Sequence, residues 1–146
     1  MKVLICGSRS IKDPEVVPRA AQASGFQPIT EIVTGGASGV DTLADGWAHA
    51  VELDRTIMFA NWKARGKAAG YHRNERMVRY ADVVIAIWDG KSTGTAHTMQ
   101  IARIQGKPCY VFMVEPKKEK RNGLTGSGRN GKTEHLGDVT NTGDSD

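Results

Sequence analysis

The stretch "IVTGGASGVDTLADGWAHA" (residues 32–50) decides the fold, because it passes from a short apolar run through three glycines into a segment with helical spacing. Apolar residues recur in that segment at intervals of three and four, which places them on one face of a helix. They are Val40, Leu43, Ala44, Trp47, Ala48 and Val51. A strand that leads through a glycine turn into a helix is the repeating unit of an α/β sheet.

The alternation of strand-like and helix-like segments extends from residue 2 to residue 114. Short apolar runs predict five strands, and the amphipathic segments between them predict four helices. The strand candidates are "KVLIC" (2–6), "EIVT" (31–34), "RTIMFA" (55–60), "DVVIAIW" (82–88) and "PCYVFMV" (108–114). Continuous apolar runs are typical of parallel strands that helices cover on both faces. We therefore predict the α/β class, with a doubly wound parallel five-stranded sheet and helices on both faces.

Helix boundaries and one long connection are also marked in the sequence. Asp13 followed by Pro14 predicts the N-cap and first position of the first helix. Gly25 and Gly106 predict helix ends. Residues 61–69 make a longer connection than the others, so we expect a loop that folds over the sheet edge or an added short helix there.

The composition changes near residue 116, so we predict one domain over residues 1–115 and a polar tail over residues 116–146. The tail has almost no apolar residues, and burial cannot then offset the entropy cost of ordering it, so we predict disorder. Within it, "GSGRNGKT" (126–133) matches the P-loop pattern in its letters. A working P-loop needs a buried strand before it and a helix after it, and neither pattern flanks this stretch. We therefore predict that it is not a phosphate site.

Composition and charge exclude several classes of protein. The chain is 39% hydrophobic and 25% charged, which is ordinary for a globular protein. No apolar run approaches the ~18 residues of a membrane helix, and the N-terminus lacks the pattern of a signal peptide. We expect a cytoplasmic protein with no membrane partner.

The net charge bears on the binding partner, and the positions of the cysteines bear on their role. Residues 1–115 carry 14 Lys+Arg against 11 Asp+Glu, a mild excess that makes nucleic acid a less favoured partner than a small molecule. Cys6 and Cys109 lie within predicted strands, so we interpret them as core residues. No cluster of residues suits a metal, and we expect no cofactor.

Glycines and polar residues gather in the loops that follow the carboxyl ends of the predicted strands. The loops are "GSRS" (7–10), "GGASGVD" (35–41), "NWKARGKAAGYHRN" (61–74) and "DGKSTGTAHT" (89–98). Ligands of doubly wound sheets bind at this edge, and glycine turns that lead into helices can hold anions. The predicted ligand-binding residues are Gly7, Ser8, Arg9, Gly35, Gly36, Ala37, Ser38, Gly39, Asp41, Asn74, Gly90, Ser92, Gly94 and Thr95.

The charged groups in these loops allow more than one role. Asp41 either interacts with the dipole of its helix or accepts hydrogen bonds from a ligand hydroxyl. Asp89 is either a turn former or a reactive or ribose-binding carboxylate. Arg73 is suited to bidentate contacts with phosphate or carboxylate. Of the histidines, only His72 and His97 fall near the expected mouth of the site.

Several ordered motifs resemble the YspA-like branch of the SLOG superfamily over about residues 2–114. They are "GSRS", "TGGASGVDTLADGWA", "GKAAGYHRNERM", "ADVVIAIWDG" and "STGT". The resemblance implies a Rossmann-like domain that binds or processes a nucleotide-derived ligand. Relatives include the Lonely Guy phosphoribohydrolases, which release the base from nucleoside monophosphates. Arg73 matches an arginine of that family in spacing, but His97 stands where its glutamate would be, so phosphate and ribose binding carry over better than hydrolysis.

These observations favour a nucleotide-binding domain that acts as a sensor or as an enzyme. The sequence leaves open whether a reaction occurs. As an N-glycosidase it would use Arg73, Asp89 and His97 as catalytic residues, with Asp41 or Asp89 holding ribose. The competing interpretation is single-stranded nucleic-acid binding, as in the related DNA-processing protein A, and it would use Arg73, Arg76, Arg79 and Trp62 on an open face. The sequence also leaves a homo-oligomer open.

Overall fold

The structure is a computed structural model that describes residues 1–66 and 68–115. The predicted tail and its P-loop-like stretch lie outside the described residues. No helix in the described ranges is long and apolar enough to cross a membrane.

The described residues form five strands and five helices, which alternate except that two helices follow one another between the third and fourth strands. The strands are β1 (Lys2–Gly7), β2 (Glu31–Thr34), β3 (Asp54–Ile57), β4 (Val83–Trp88) and β5 (Cys109–Met113). The helices are α1 (Val16–Ser24), α2 (Val40–Ala50), α3 (Trp62–Arg65), α4 (Ala68–Tyr80) and α5 (Thr93–Ile104). The short helix α3 lies in the connection for which an added helix was one of the two predictions.

The strands form one parallel sheet in the order β3-β2-β1-β4-β5. The chain builds outward from β1 to β3 and then returns to β4 on the other side of β1. The strand order therefore reverses between β1 and β4, where the register pairs Gly7 with Ile87. This is the Rossmann-like α/β fold that the sequence predicts, and it puts the switch point of the sheet beside the loops after Gly7 and Trp88.

Alternate residues of the central strands supply two separate cores. Val3 and Ile5 of β1 face the helices α1 and α2, while Leu4 and Cys6 face α4 and α5. Both sets are buried. Because both faces are covered, β1 and β4 read as continuous apolar runs.

Some predicted boundaries are wrong. The first helix begins at Val16, because the Oδ1 and carbonyl oxygens of Asp13 accept hydrogen bonds from Glu15 and Val16 in a separate turn. β3 ends at Ile57 and is only partly buried, because it lies at the sheet edge. Val51 follows the end of α2 and is 47% exposed, so it does not belong to the buried apolar face of that helix.

The last turn of α4 is capped by a lysine from another part of the chain. The Nζ of Lys107 donates hydrogen bonds to the carbonyl oxygens of Val78, Arg79 and Ala81 at 3.0, 3.1 and 2.5 Å. These carbonyls have no partner within the helix, and a cation there also interacts favourably with the helix dipole. Lys107 thus joins the chain before β5 to the end of α4.

Lys107→Met is expected to lower the free energy of unfolding by about 1–2 kcal/mol, because it keeps the aliphatic stem but removes three charge-assisted hydrogen bonds. Urea denaturation measures this difference. Lys12→Met is the control, since Lys12 is exposed. Equal stability of the two variants would show that the cap contributes nothing.

Candidate functional site

A cleft of about 1050 Å³ opens at the carboxyl edge of the sheet, across the ends of β1, β2 and β4. The predicted site residues line it, with the exception of Gly39, Gly90 and His97. The fold thus brings together loops that are far apart in the sequence. The lining also includes Trp62, which is predicted for the strand-binding alternative, and Thr93, which lies in the predicted turn before the fourth helix. The lining residues that are not predicted are Cys6, Ser10, Phe59, Ala60, Gly70, Met77, Lys91 and Thr98.

The turn after β2, residues 35–37 and here called the Gly35 turn, is held by the carboxylate of Asp41. Its Oδ2 accepts hydrogen bonds from the backbone N–H groups of Gly35 and Ala37, both at 3.1 Å. Asp41 is only 7% exposed. Two of the N–H groups that a glycine turn could offer to an anion are therefore already bound to a carboxylate of the same chain.

Arg73 holds the same turn from the other side. Its Nη1 donates to the carbonyl oxygen of Gly35 at 2.6 Å, and its Nε donates to the Oδ1 of Asn74 at 3.0 Å. A Cβ on Gly35 would lie 2.6 Å from that Nη1, so only glycine fits under the guanidinium. Arg73 and Asp41 together form a clamp on the Gly35 turn.

Burial shifts the pKa of both charged groups of this clamp, Asp41 and Arg73. Burial raises the pKa of Asp41 to about 6, against the opposing effects of the Ala37 N–H and the charge of Arg73. Burial also lowers the pKa of Arg73, and Asp41 opposes that shift. Each charge therefore compensates part of the desolvation cost of the other.

The ends of β1 and β4 meet at the switch point through Ser8. The Oγ of this buried residue accepts a hydrogen bond from the backbone N–H of Asp89 at 3.3 Å. A side chain at Gly7 would collide with the carbonyl oxygen of Ile87. Gly39 has a φ of +77° and lies where a Cβ would meet the backbone of Ser8 at 2.5 Å. Gly7 and Gly39 therefore serve close packing of the loops.

Asp89 forms the turn that leads from β4 to α5. Its Oδ1 accepts hydrogen bonds from the backbone N–H groups of Lys91 at 2.8 Å and Ser92 at 2.9 Å. Burial raises the pKa of Asp89, but these hydrogen bonds and that with Ser8 outweigh it, so the net shift is downward. Asp89 is therefore an ionised turn former in this structure.

The first turn of α5 leaves donors open to the cleft. Ser92 is the N-cap, and its Oγ accepts a hydrogen bond from the N–H of Thr95 at 3.3 Å. The N–H groups of Thr93 and Gly94 precede the first intrahelical donor and have no partner among the described residues. A Cβ on Gly94 would meet nothing within 4 Å. The N–H groups at this helix start are therefore available to a ligand, whereas the N–H groups of Gly35 and Ala37 are bound to Asp41.

Three other residues that the sequence places near the site do not line the cleft: His72, Gly90 and His97. The ring of His97 is tilted against that of Tyr71, with centroids 4.6 Å apart. His72 also contacts Tyr71, edge to face, at 6.1 Å. Gly90 has a φ of +82° and serves the turn after Asp89.

Two exposed aromatic side chains form the far rim of the cleft. Phe59 is 66% exposed and Trp62 is 59% exposed. The ring of Phe59 lies over Gly36, where a Cβ would be 2.5 Å from its Cε1. Trp62 is already predicted as a contact in the strand-binding interpretation. The short "FANW" segment, whose aromatic residues follow the end of the sheet's edge strand, is the signal that could have identified Phe59 as well.

Comparisons with known proteins agree with this fold and its sequence motifs. The profile of the family described as "YspA, cpYpsA-related SLOG family" matches residues 1–64. Gene 61 protein of Mycobacterium phage D29 is 40% identical over 123 residues, which cover 79% of this chain and 98% of that protein. The chain belongs to the YspA, cpYpsA-related SLOG family.

A solved structure shares the fold at lower sequence identity. DNA processing protein A from Helicobacter pylori, determined in a study of its single-stranded DNA binding mode, matches with a TM-score of 0.59 and 22% identity. The match covers 82% of this chain and 67% of that chain. The likeness shows a common fold.

Proposed function

We propose that the cleft binds a nucleotide-derived ligand whose phosphate lies at the start of α5. The observation that carries this proposal is the pair of unpartnered N–H groups of Thr93 and Gly94, which lie at the positive end of a 12-residue helix. The hydroxyl groups of Ser92 and Thr95 lie within hydrogen-bond distance of each other beside them. Lys91 is exposed on the same loop and adds a positive charge.

The Gly35 turn is the weaker place for phosphate. The N–H groups of Gly35 and Ala37 are bound to the carboxylate of Asp41, and Arg73 is bound to the carbonyl of Gly35. A phosphate there would also face the negative charge of Asp41. The proposal therefore assigns one phosphate position, at α5, and gives Arg73 the role of positioning the turn.

Phe59 and Trp62 suit the opposite end of the same ligand. An exposed aromatic ring can stack on a nucleobase, and such stacking is sequence-tolerant because every base has a π-face. These rings lie after β3, three strands from β4 in the sheet. A nucleotide laid across the carboxyl edge would place its base towards this rim and its phosphate towards α5.

The site supports binding more directly than cleavage. Asp89 is engaged in its turn, and His97 lies outside the cleft lining. We therefore expect that the protein releases no free base from AMP or related nucleoside monophosphates at a rate near the ~1 s⁻¹ of common enzymes. Chromatography of the reaction mixture measures this directly. Release at that rate would assign a hydrolase instead of a sensor.

The exposed rim also favours a second candidate, single-stranded nucleic acid. Lys63 and Arg65 lie on α3 next to Trp62, and a basic groove with stacking aromatics is typical of such binding. This surface is open, whereas the α5 start is inside the cleft. The two candidates differ in how binding depends on salt.

Calorimetric titration with the four ribonucleoside monophosphates and with an oligothymidine separates the candidates. We expect saturable binding of a mononucleotide that changes modestly between about 50 and 200 mM salt, because only one phosphate is held. Binding of the oligonucleotide alone, falling by orders of magnitude over that range, would favour the strand-binding function. Binding of neither would contradict both.

A further inference from the structure

Asp41 has one carboxylate oxygen that the clamp does not use. Both backbone hydrogen bonds end on Oδ2, and no hydrogen bond from a residue in the ranges 1–66 and 68–115 reaches Oδ1. Asp41 is only 7% exposed, yet it lines the cleft. An ionised carboxylate oxygen accepts hydrogen bonds and donates none. The free oxygen is thus a hydrogen-bond acceptor in the wall of the cleft.

The geometry of the clamp fixes this acceptor in place. The N–H groups of Gly35 and Ala37 hold Oδ2 from the turn, and the positive charge of Arg73 acts on the group from α4. A charge-assisted hydrogen bond from a ligand O–H group to this oxygen would stabilise the complex, whereas a second phosphate would be repelled by the carboxylate.

The order of the strands places this acceptor between the two ends of the proposed ligand. The aromatic rim follows β3, Asp41 stands at the turn after β2, and the phosphate position follows β4. Adjacent strands are about 4.8 Å apart, so the ends of β2 and β4 are about 10 Å apart across β1. The middle of a nucleotide that spans this edge is its sugar.

We infer that Asp41 accepts a hydrogen bond from a ribose hydroxyl, so that the cleft selects ribonucleotides over their deoxy analogues. The inference rests on the proposed function, since it concerns the sugar of the same ligand. It assigns Asp41 two roles on its two oxygens: Oδ2 positions the Gly35 turn and Oδ1 contacts the ligand.

The test compares affinities of the best-binding ribonucleoside monophosphate with those of its 2′-deoxy and 3′-deoxy analogues. For wild-type protein, at least one analogue is expected to bind about 10–100-fold more weakly, because a hydrogen bond to a charged group is lost. In Asp41→Asn, the amide oxygen can still accept from the backbone N–H groups while the NH₂ group faces the cleft. The preference is then expected to fall several-fold, because the NH₂ group cannot accept from a hydroxyl and any hydrogen bond that it donates to the hydroxyl oxygen joins two neutral groups.

Asp45→Asn is the matched control, since Asp45 lies one turn further along α2 and does not line the cleft. It is expected to keep the wild-type preference. Equal affinity of wild-type protein for all three ligands overturns the inference while leaving the proposed function in place, and so does a preference of undiminished size in a folded Asp41→Asn protein. If that variant does not fold, the wild-type comparison alone decides. Binding of no nucleotide at all overturns both proposals.

Discussion

Gly94→Leu is expected to lower mononucleotide affinity by at least about 100-fold while the protein stays folded. The side chain would cover the N–H groups of Thr93 and Gly94, and two hydrogen bonds to a charged phosphate are together worth that factor or more. The fold can accept the change, because a Cβ at this position meets nothing within 4 Å. Leucine is also a better helix former than glycine by roughly 0.5–1 kcal/mol. Titration calorimetry measures the affinity and circular dichroism monitors the fold.

Gly46→Leu is the control for this change. Gly46 is also a helical glycine with open space where a Cβ would stand, but it lies in α2 and does not line the cleft. It should bind nucleotide as wild type does. A folded Gly94→Leu protein with unchanged affinity would remove α5 as the phosphate position. Gly36→Val is a poorer test, since Gly36 has a φ of +76° and its Cβ would collide with Phe59.

Arg73→Met is expected to lower the free energy of unfolding by about 2–4 kcal/mol at pH 8, because it leaves the buried charge of Asp41 without its compensating cation. It also removes the hydrogen bond to the carbonyl of Gly35. Urea denaturation measures the loss. Arg76→Met on the same helix is the control, since Arg76 is exposed, and it should have little effect.

The loss from Arg73→Met should depend on pH in a defined direction. Burial raises the pKa of Asp41 from 3.8 to about 6, so the folded state binds this proton more tightly than the unfolded state. The contribution of the Asp41 carboxyl to the free energy of unfolding is therefore fully present below pH ~4, and it is lost as the pH rises through ~6. Removing Arg73 raises the pKa of Asp41 further, so the variant should be least stable above pH ~7.

A double-mutant cycle completes this test. Arg73→Met combined with Asp41→Asn should recover part of the loss at pH 8, because the uncompensated charge is gone. The other charged group that acts on Asp41 is Asp45 on α2, which raises its pKa. A loss that is the same at pH 5 and pH 8, with no recovery in the double variant, would show that the two side chains do not act as a clamp.

Most of the fold follows from local patterns that the sequence displays. The buried strands β1 and β4 are continuously apolar because helices cover both faces, and the spacing of Val40, Ala44 and Ala48 sets the buried face of α2. The edge strand β3 was misplaced at both ends because edge strands are only partly buried and carry a weaker pattern. The start of α1 was misplaced because the Asp13 turn competes with the helix for the same N–H groups.

The sequence predicts where the cleft lies, but it does not predict the hydrogen bonds between the residues that line it. The rule that ligands bind at the carboxyl edge of the sheet brings Ser8, Asp41 and Asp89 to one place. It cannot show that Asp41 fills the Gly35 turn, because that depends on the contact with Arg73 from a helix 38 residues away in the sequence. Trp62 is predicted only for the strand-binding alternative, and Phe59 is not predicted as a ligand contact, because the sequence places it within the strand candidate at residues 55–60.

The most direct test of the central claim is a residue-resolved NMR titration of isotope-labelled protein with the best-binding ribonucleoside monophosphate. The account predicts that the backbone amide signals of Thr93 and Gly94 show the largest saturable shifts, because their N–H groups meet the phosphate. Smaller shifts are expected at Phe59 and Trp62. Saturable shifts confined to Trp62, Lys63 and Arg65, with Thr93 and Gly94 unchanged, would contradict it.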